Sequence, residues 1–322
     1  MNKKSLVNRI LVGALVAVVM VGMVAIAAFA VSLPLLRLAN IVLISLLVCL
    51  SVFEMRRALG NERIPRDFSR ILWIFGVFSG PVFVFFGQFG TLLLALFAIC
   101  LAALRAVLTN RAEALLYVAF AIIYPGLFMS SLFFLTTVNA ATPVDPSSEL
   151  ATFLTIDPVR SILGYEKVIL PCGAIAFALT FAVSSFTDVF AYFVGSLLGK
   201  CKLCPSVSPK KTVEGAVGGL VGGVVGAAVV YLLFDGLKVF GNGFSLSVFG
   251  FAMWEVVLIY AIVGVFGSFM TQLGDLTASL IKRRCGVKDY SKILGEHGGI
   301  LDRFDGIVFN AVFISAIFAI IS

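Results

Sequence analysis

Side chains able to do chemistry concentrate after residue 187 of this 322-residue chain. One group is Asp188, Tyr192, Gly195, Gly199 and Lys200. Steps of 4, 3 and 4 put the first four on one helix face, so a carboxyl group shares a stripe with small residues. An ionisable residue on such a face of an apolar helix more often lines a site than faces lipid. The stretch Gly195 to Lys200 looks like a phosphate-binding P-loop only superficially. Its glycines are separated by three residues, and Cys201 stands where Ser or Thr should follow the lysine.

A second group is Ser208-Pro209-Lys210-Lys211-Thr212. Ser208 reads as a helix N-cap and Pro209 as the first helical residue. Lys210 and Lys211 would then oppose the helix dipole, a conflict that a phosphate seated between them and the free backbone N–H groups would resolve. The competing reading is a cationic stop signal at a membrane edge. The third group runs from Gly274 to Asp305. Asp275, Ser279, Lys282 and Arg283 share a helical face, and Gly286 marks the helix end. A loop follows with Lys288, Asp289, His297, Gly298 and Gly299, and then Asp302, Arg303 and Asp305 precede the last apolar run. A salt-bridged cytosolic loop would account for these charges. Carboxylates returning to a membrane edge beside Lys and Arg also offer ligands for hard cations and for phosphates together. His297 alone reads equally as a loop-packing residue or a catalytic one. If the substrates are phosphates, no strong general base is needed, because a phosphate monoester is already anionic at neutral pH.

The elements that must position these groups are apolar. Hydrophobic residues make up 61% of the chain and charged ones 13%, against about 25% charged in soluble domains. With mean hydropathy +1.10, a soluble globular enzyme, a disordered chain and a disulfide scaffold are excluded. The six cysteines are scattered, and the single CxxC at Cys201 and Cys204 lacks a second ligand pair. Apolar runs near 10–31, 36–53, 71–88, 90–108, 114–137, 168–198, 214–234, 248–273 and 306–321 predict an all-α polytopic membrane protein of about nine transmembrane helices. The first run exceeds a signal-peptide core and reads as an uncleaved helix. With the basic N-terminus inside, segments 1–9, 54–70, 105–113, 199–214 and 275–305 face the cytoplasm and carry 20 of the 24 Lys+Arg. The net charge of +7 is thus read as topology, and no nucleic-acid partner is expected. Residues 1–137 are expected to form a five-span scaffold, 138–167 an extracytoplasmic connection and 168–322 a four-span region that carries the chemistry. Gly215, Gly219 and Gly223, with Gly218, Gly222 and Gly226, predict close helix packing against another span or a second subunit.

At this point Ser279, Lys282, Arg283, Lys288, Asp289, His297-Gly298-Gly299 and Asp302-Arg303-Phe304-Asp305, in this spacing, closely resemble the C-terminal signature of phosphatidate cytidylyltransferases, the CDP-diacylglycerol synthases. The Asp188 helix and the Ser208 to Thr212 block resemble two further stretches of that family, in the same order. Gly295-Glu296, Val213, Ser196 and Ala278 depart from many members. The resemblance implies a multi-pass enzyme of the plasma (inner) membrane, with its active site facing the cytoplasm, that joins CTP to phosphatidic acid and releases pyrophosphate. It also implies Mg²⁺ and a homodimer. Among the residues, it implies Asp275 and Asp302 as metal ligands, and Ser208, Lys210, Thr212, Gly298 and Gly299 at the nucleotide. It implies catalytic roles for Asp188, Lys211, Lys282, Arg283, Lys288, Asp289, His297, Arg303 and Asp305. The nearest alternatives are a CTP-dependent enzyme acting on another lipid phosphate or alcohol and, from a different class, a transporter of an anionic metabolite. Transporters place binding groups near the bilayer midplane in repeated halves, whereas here the charges gather at one interface.

Overall fold

In hydrocarbon every backbone N–H and C=O must find its partner within the protein, which leaves an apolar run the α-helix as its spanning form. The structure, a computed structural model, describes residues 3–29, 34–143, 167–239, 245–295 and 298–321. Its helices are α1 (Lys3–Phe29), α2 (Pro34–Arg63), α3 (Arg66–Thr109), α4 (Ala112–Ala121), α5 (Phe128–Leu135), α6 (Gly173–Leu198), α7 (Val213–Tyr231), α8 (Met253–Arg284) and α9 (Leu301–Ile321). A wide helical turn, Ile122–Leu127, joins α4 to α5. Among the described residues, eight helical stretches are long and apolar enough to cross a membrane, with α4 and α5 counted as one.

The sequence suggests two spans, one following the other without a loop, over the 44 residues of α3. Its two arms nevertheless run antiparallel. Gly87, at φ 63° and ψ −158°, breaks the helix in a conformation that favours glycine. A Cβ on Gly90 would lie 3.2 Å from the carbonyl of Val82, although eight residues of straight helix rise about 12 Å. Arg105 also meets Asp67 at 2.6 Å, 38 positions away in sequence. Each arm is about 20 residues long, enough for one crossing. The described residues therefore supply nine crossing segments. The Asp67–Arg105 pair also sets segments 54–70 and 105–113 at the same end of the bundle.

One expectation is corrected. Ser208 does not cap a helix. Ser208–Thr212 is a strand, β4, paired antiparallel with Lys202–Cys204, β3. Thr212 caps α7 instead, its hydroxyl accepting from the Gly215 N–H at 3.1 Å. The reason lies in the first turn: starting the helix after the lysines leaves Glu214 there, the sign the dipole favours. The fixed φ of Pro209 suits an extended edge as well as a helix start. The connection 138–167 is flanked by another antiparallel ribbon, Asn139–Pro143 (β1) against Lys167–Pro171 (β2), while residues 144–166 lie outside the described ones.

The glycine faces of α7 do pack closely, against two spans. Gly218, Gly222 and Gly226 lie on Val194, Phe186 and Ala182 of α6, while Gly219 and Gly223 face Gln272 and Ser268 of α8. Ser268 donates to the Gly219 carbonyl at 2.9 Å. Deeper in the bundle, Asn310 of α9 donates to the Thr180 carbonyl and the Ser184 hydroxyl of α6, and Ser184 pairs with Thr271 of α8 at 3.0 Å. These bonds join α6, α8 and α9 through side chains that are fully buried.

A Cβ on Gly222 would sit 2.5 Å from the Phe186 carbonyl, so the helices would have to part. Gly222→Ala should cost about 1–3 kcal/mol, by analogy with core overpacking. Thermal unfolding in detergent checks it against Gly13→Ala, where a Cβ meets nothing within 4 Å and no loss is expected.

Candidate active site

The C-terminal end of α6, the β3–β4 ribbon, the start of α7 and the C-terminal third of α8 enclose a cleft of about 380 Å³. Its walls include Asp188, Tyr192, Lys210, Lys211, Gln272 and Asp275. Local chemistry builds each wall. Glu214 accepts from the Cys201 N–H through both carboxylate oxygens, at 3.1 and 3.2 Å, and the Val213 N–H donates to the Cys201 carbonyl at 2.9 Å. The ribbon is thereby fastened to the first turn of α7, and the strand presents Lys210 and Lys211 to the cleft. Gly195 of α6 and Gly199 just after it lie against Thr212, so the helix cap is also the contact that closes α6 on α7.

Across the cleft, Lys211 Nζ meets Asp275 Oδ2 at 2.5 Å, their side chains 26% and 36% exposed. Asp188 is exposed and lies within electrostatic reach of both. Two carboxylates and two lysines from three elements thus face one water-accessible space. Among the described residues no three His, Cys, Asp or Glu side chains form a metal-holding group. Mg²⁺ does not need one, because it is commonly held by one or two carboxylates with substrate phosphates completing its shell. Asp275 and Asp188 fit that requirement.

A second set lies one to two turns further along α8. Lys282 meets Asp302 at 2.9 Å and Asp305 at 3.9 Å, all three side chains at most 14% exposed. The other Asp302 oxygen accepts from the N–H groups of Tyr290 and Gly299, at 2.9 and 2.8 Å. Burial pushes the Tyr290 phenol above its usual range, so it stays a neutral donor, here to the Ala278 carbonyl. Both Asp302 oxygens are thus committed within the protein, and Asp302 is less open than Asp275 to an incoming cation. The start of α9 crosses α8 closely here: a Cβ on Gly274 would lie 2.5 Å from the Asp305 carbonyl. That crossing brings the backbone of Asp305 and Gly306 against the α8 turn that precedes Asp275.

The remaining sequence candidates distribute as follows. Ser208 is half-buried in β4, and Thr212 is the buried cap. Gly298, at φ 80°, faces Asp302, and Gly299 faces Glu54. Arg283 donates to the Val207 carbonyl at 3.4 Å, bracing the ribbon. Lys288, Asp289 and Arg303 are exposed. His297 lies outside the described residues. Sequence reasoning missed Gln272, Tyr290 and Glu54. Gln272 lines the cleft and donates to the Ala216 carbonyl at 3.1 Å. Glu54 carries a readable signal, a carboxyl group at the margin of an apolar run.

Asp302→Asn strips charge from the partner of a buried lysine and should lower stability by about 3 kcal/mol or more. Asp275→Asn, at a half-exposed pair, should change it by about 1 kcal/mol or less. Equal shifts in the thermal midpoint of the two purified variants would contradict this division.

A sequence profile described as the cytidylyltransferase family matches residues 14–321. Proteins named phosphatidate cytidylyltransferase are similar over shorter stretches. The one from Staphylococcus saprophyticus is 44% identical over 129 residues, 40% of this chain and 43% of that protein. The one from Aquifex aeolicus is 40% identical over 124 residues, 38% and 39% of the two chains. The one from Bacillus subtilis is 39% identical over 137 residues, 42% and 44%. The chain thus spans about two-fifths of the length of these relatives, 43% of the first. With a match over nearly all of its length, the chain belongs to the cytidylyltransferase family.

Proposed function

We propose that the protein transfers the cytidylyl group of CTP to phosphatidic acid, giving CDP-diacylglycerol and pyrophosphate. The observation that carries this reading is the cleft in which Lys211 and Asp275 pair beside Asp188 at the ends of membrane helices. A phosphate chain cannot enter hydrocarbon cheaply, and a lipid headgroup does not leave the interface, so both must meet at such an edge. Similar proteins bear the name of this activity.

In this reaction an oxygen of the phosphatidate phosphate attacks the α-phosphorus of CTP. The new P–O bond forms as the bond from the α-phosphorus to the bridging oxygen breaks, and that oxygen departs with pyrophosphate. No protein nucleophile is required, and catalysis rests on alignment and on neutralising charge. Lys210 and Lys211 are placed to receive phosphate oxygens, with Lys211 exchanging Asp275 for substrate. Asp275 and Asp188 would hold Mg²⁺, which when bound supplies positive charge across the phosphates. Lys282 orders Asp302 and Asp305 behind that wall.

The chain also reads as a multi-pass protein of the plasma membrane acting as a homodimer, with the cleft toward the cytoplasm. Orientation is supported by charge, since segments carrying 20 of the 24 Lys+Arg include all those around the cleft.

Mixing purified protein with phosphatidic acid, Mg²⁺ and each nucleoside triphosphate should release pyrophosphate with CTP. Activity on a different lipid phosphate or alcohol alone would move the substrate assignment, and silence with every nucleotide would sink the enzymatic reading. Lys210→Ala with Lys211→Ala should reduce turnover at least about tenfold, the scale of one lost charged contact. Unchanged turnover would return the lysines to a topological role. For orientation, Lys238→Cys in a cysteine-free background should react with an impermeant maleimide on intact cells while Lys202→Cys should not. The opposite pattern would invert the assignment.

A further inference from the structure

The C-terminal end of α2 lies against both ends of the segment joining α8 to α9, although more than 200 residues separate them in sequence. Glu54 is fully buried. Its Oε1 accepts from the Ser291 hydroxyl at 2.6 Å and the Ile300 N–H at 2.9 Å, and its Oε2 from the Leu301 N–H at 2.7 Å. Nine positions on, past the bend at Gly60, Arg63 donates to the Arg284 carbonyl at 3.3 Å and to Cys285 Sγ at 3.5 Å. It is steadied by the Tyr117 ring, 5.7 Å from its guanidinium carbon.

The signs are complementary. The C-terminus of α8 exposes carbonyls and carries partial negative charge, and it receives a cation. The N-terminus of α9 exposes N–H groups and carries partial positive charge, and it receives a carboxyl group. Consecutive amides are divided between two acids: Gly299 goes to Asp302, while Ile300 and Leu301 go to Glu54. A residue with a Cβ at position 299 would collide with both oxygens of Glu54. The register of Asp302 and Asp305 against Lys282 therefore depends on a side chain from the opposite half of the protein.

We infer that Glu54, assisted by Arg63, is a positioning residue for the transfer reaction. It touches no substrate, and it fixes the start of α9 so that Asp302, Asp305 and Lys282 stand correctly behind the cleft. The N-terminal helices are thus part of the site's geometry. This inference rests on the proposed activity for its kinetic arm only.

The test compares Glu54→Gln, Glu54→Ala, Gly299→Ala and the Glu54→Ala/Gly299→Ala double variant, all in the full chain. Readouts are pyrophosphate release, amide hydrogen exchange and thermal unfolding. A misplacement on the ångström scale should lower kcat by about 100-fold in Glu54→Ala, with Glu54→Gln, which keeps one acceptor oxygen, nearer tenfold. KM for CTP should change by less than about twofold, because the effect lies in alignment rather than in uniform binding. Exchange should rise at positions 291–301 and stay unchanged in α6 and α7. Gly299→Ala should match Glu54→Ala, and the double variant should be no worse than either single. Additive losses in the double variant, or wild-type kcat and exchange in Glu54→Ala, would overturn the inference. If Glu54→Ala unfolds globally, Glu54→Gln and the Gly299→Ala cycle in that background decide the matter by the same criteria. If the wild type releases no pyrophosphate, the proposed activity fails, and the exchange pattern still reports whether Glu54 holds the segment.

Discussion

The close approach of α7 to α6 and α8 is the constraint on which the site depends. In lipid there is little hydrophobic drive between helices, so association relies on packing and on buried hydrogen bonds. Two offset rows of glycines let α7 lie against both neighbours, with the Phe186 carbonyl only 2.5 Å from where a Cβ at 222 would be. That approach brings Thr212 onto Gly195 and Gly199, and the strand that ends at Thr212 delivers Lys211 to Asp275. Were the helices held apart by ordinary side chains, the two lysines and the two acids would belong to separate surfaces.

Charge is then sorted by depth. The Lys211–Asp275 pair faces the cleft and is partly exposed, so separating its partners costs little. The Lys282–Asp302 pair is enclosed and supplemented by two backbone donors, an arrangement that is costly to break. One pair is open to exchange and the other rigid, though both are built from a lysine and an aspartate on neighbouring elements. The resemblance groups Asp275 and Asp302 together as metal ligands. Their surroundings separate them.

The N-terminal helices supply more than bulk. Aromatic side chains such as Phe85, Phe86 and Phe89 turn outward near the Gly87 bend, as a lipid-facing surface requires, while Phe75 and Phe133 fill the interior. At the other end, Glu54 and Arg63 reach the segment between α8 and α9 with charges opposite to the helix ends they meet. A helix terminus in a membrane protein leaves backbone groups that water does not always reach, and a side chain from a distant span is one way to satisfy them.

Much of this was legible without coordinates. Apolar runs must become spanning helices, and cationic segments accumulate on one side, so the membrane class, the crossings and the shared side of 54–70 and 105–113 follow from composition and spacing alone. The glycine rows announced close packing, whereas the helical face shared by Asp275 and Lys282 did not make them partners: Asp275 meets Lys211, and Lys282 meets Asp302 and Asp305. The start of α7 was misread because Ser-Pro is compatible with a helix cap and with a strand edge, and the choice fell to the pairing of residues 208–212 with 202–204. Which acid meets which lysine, and that Glu54 rather than a local residue caps α9, were decided only in three dimensions. Local spacing ranks partners a few residues apart, whereas a contact across 247 positions is set by how whole helices pack.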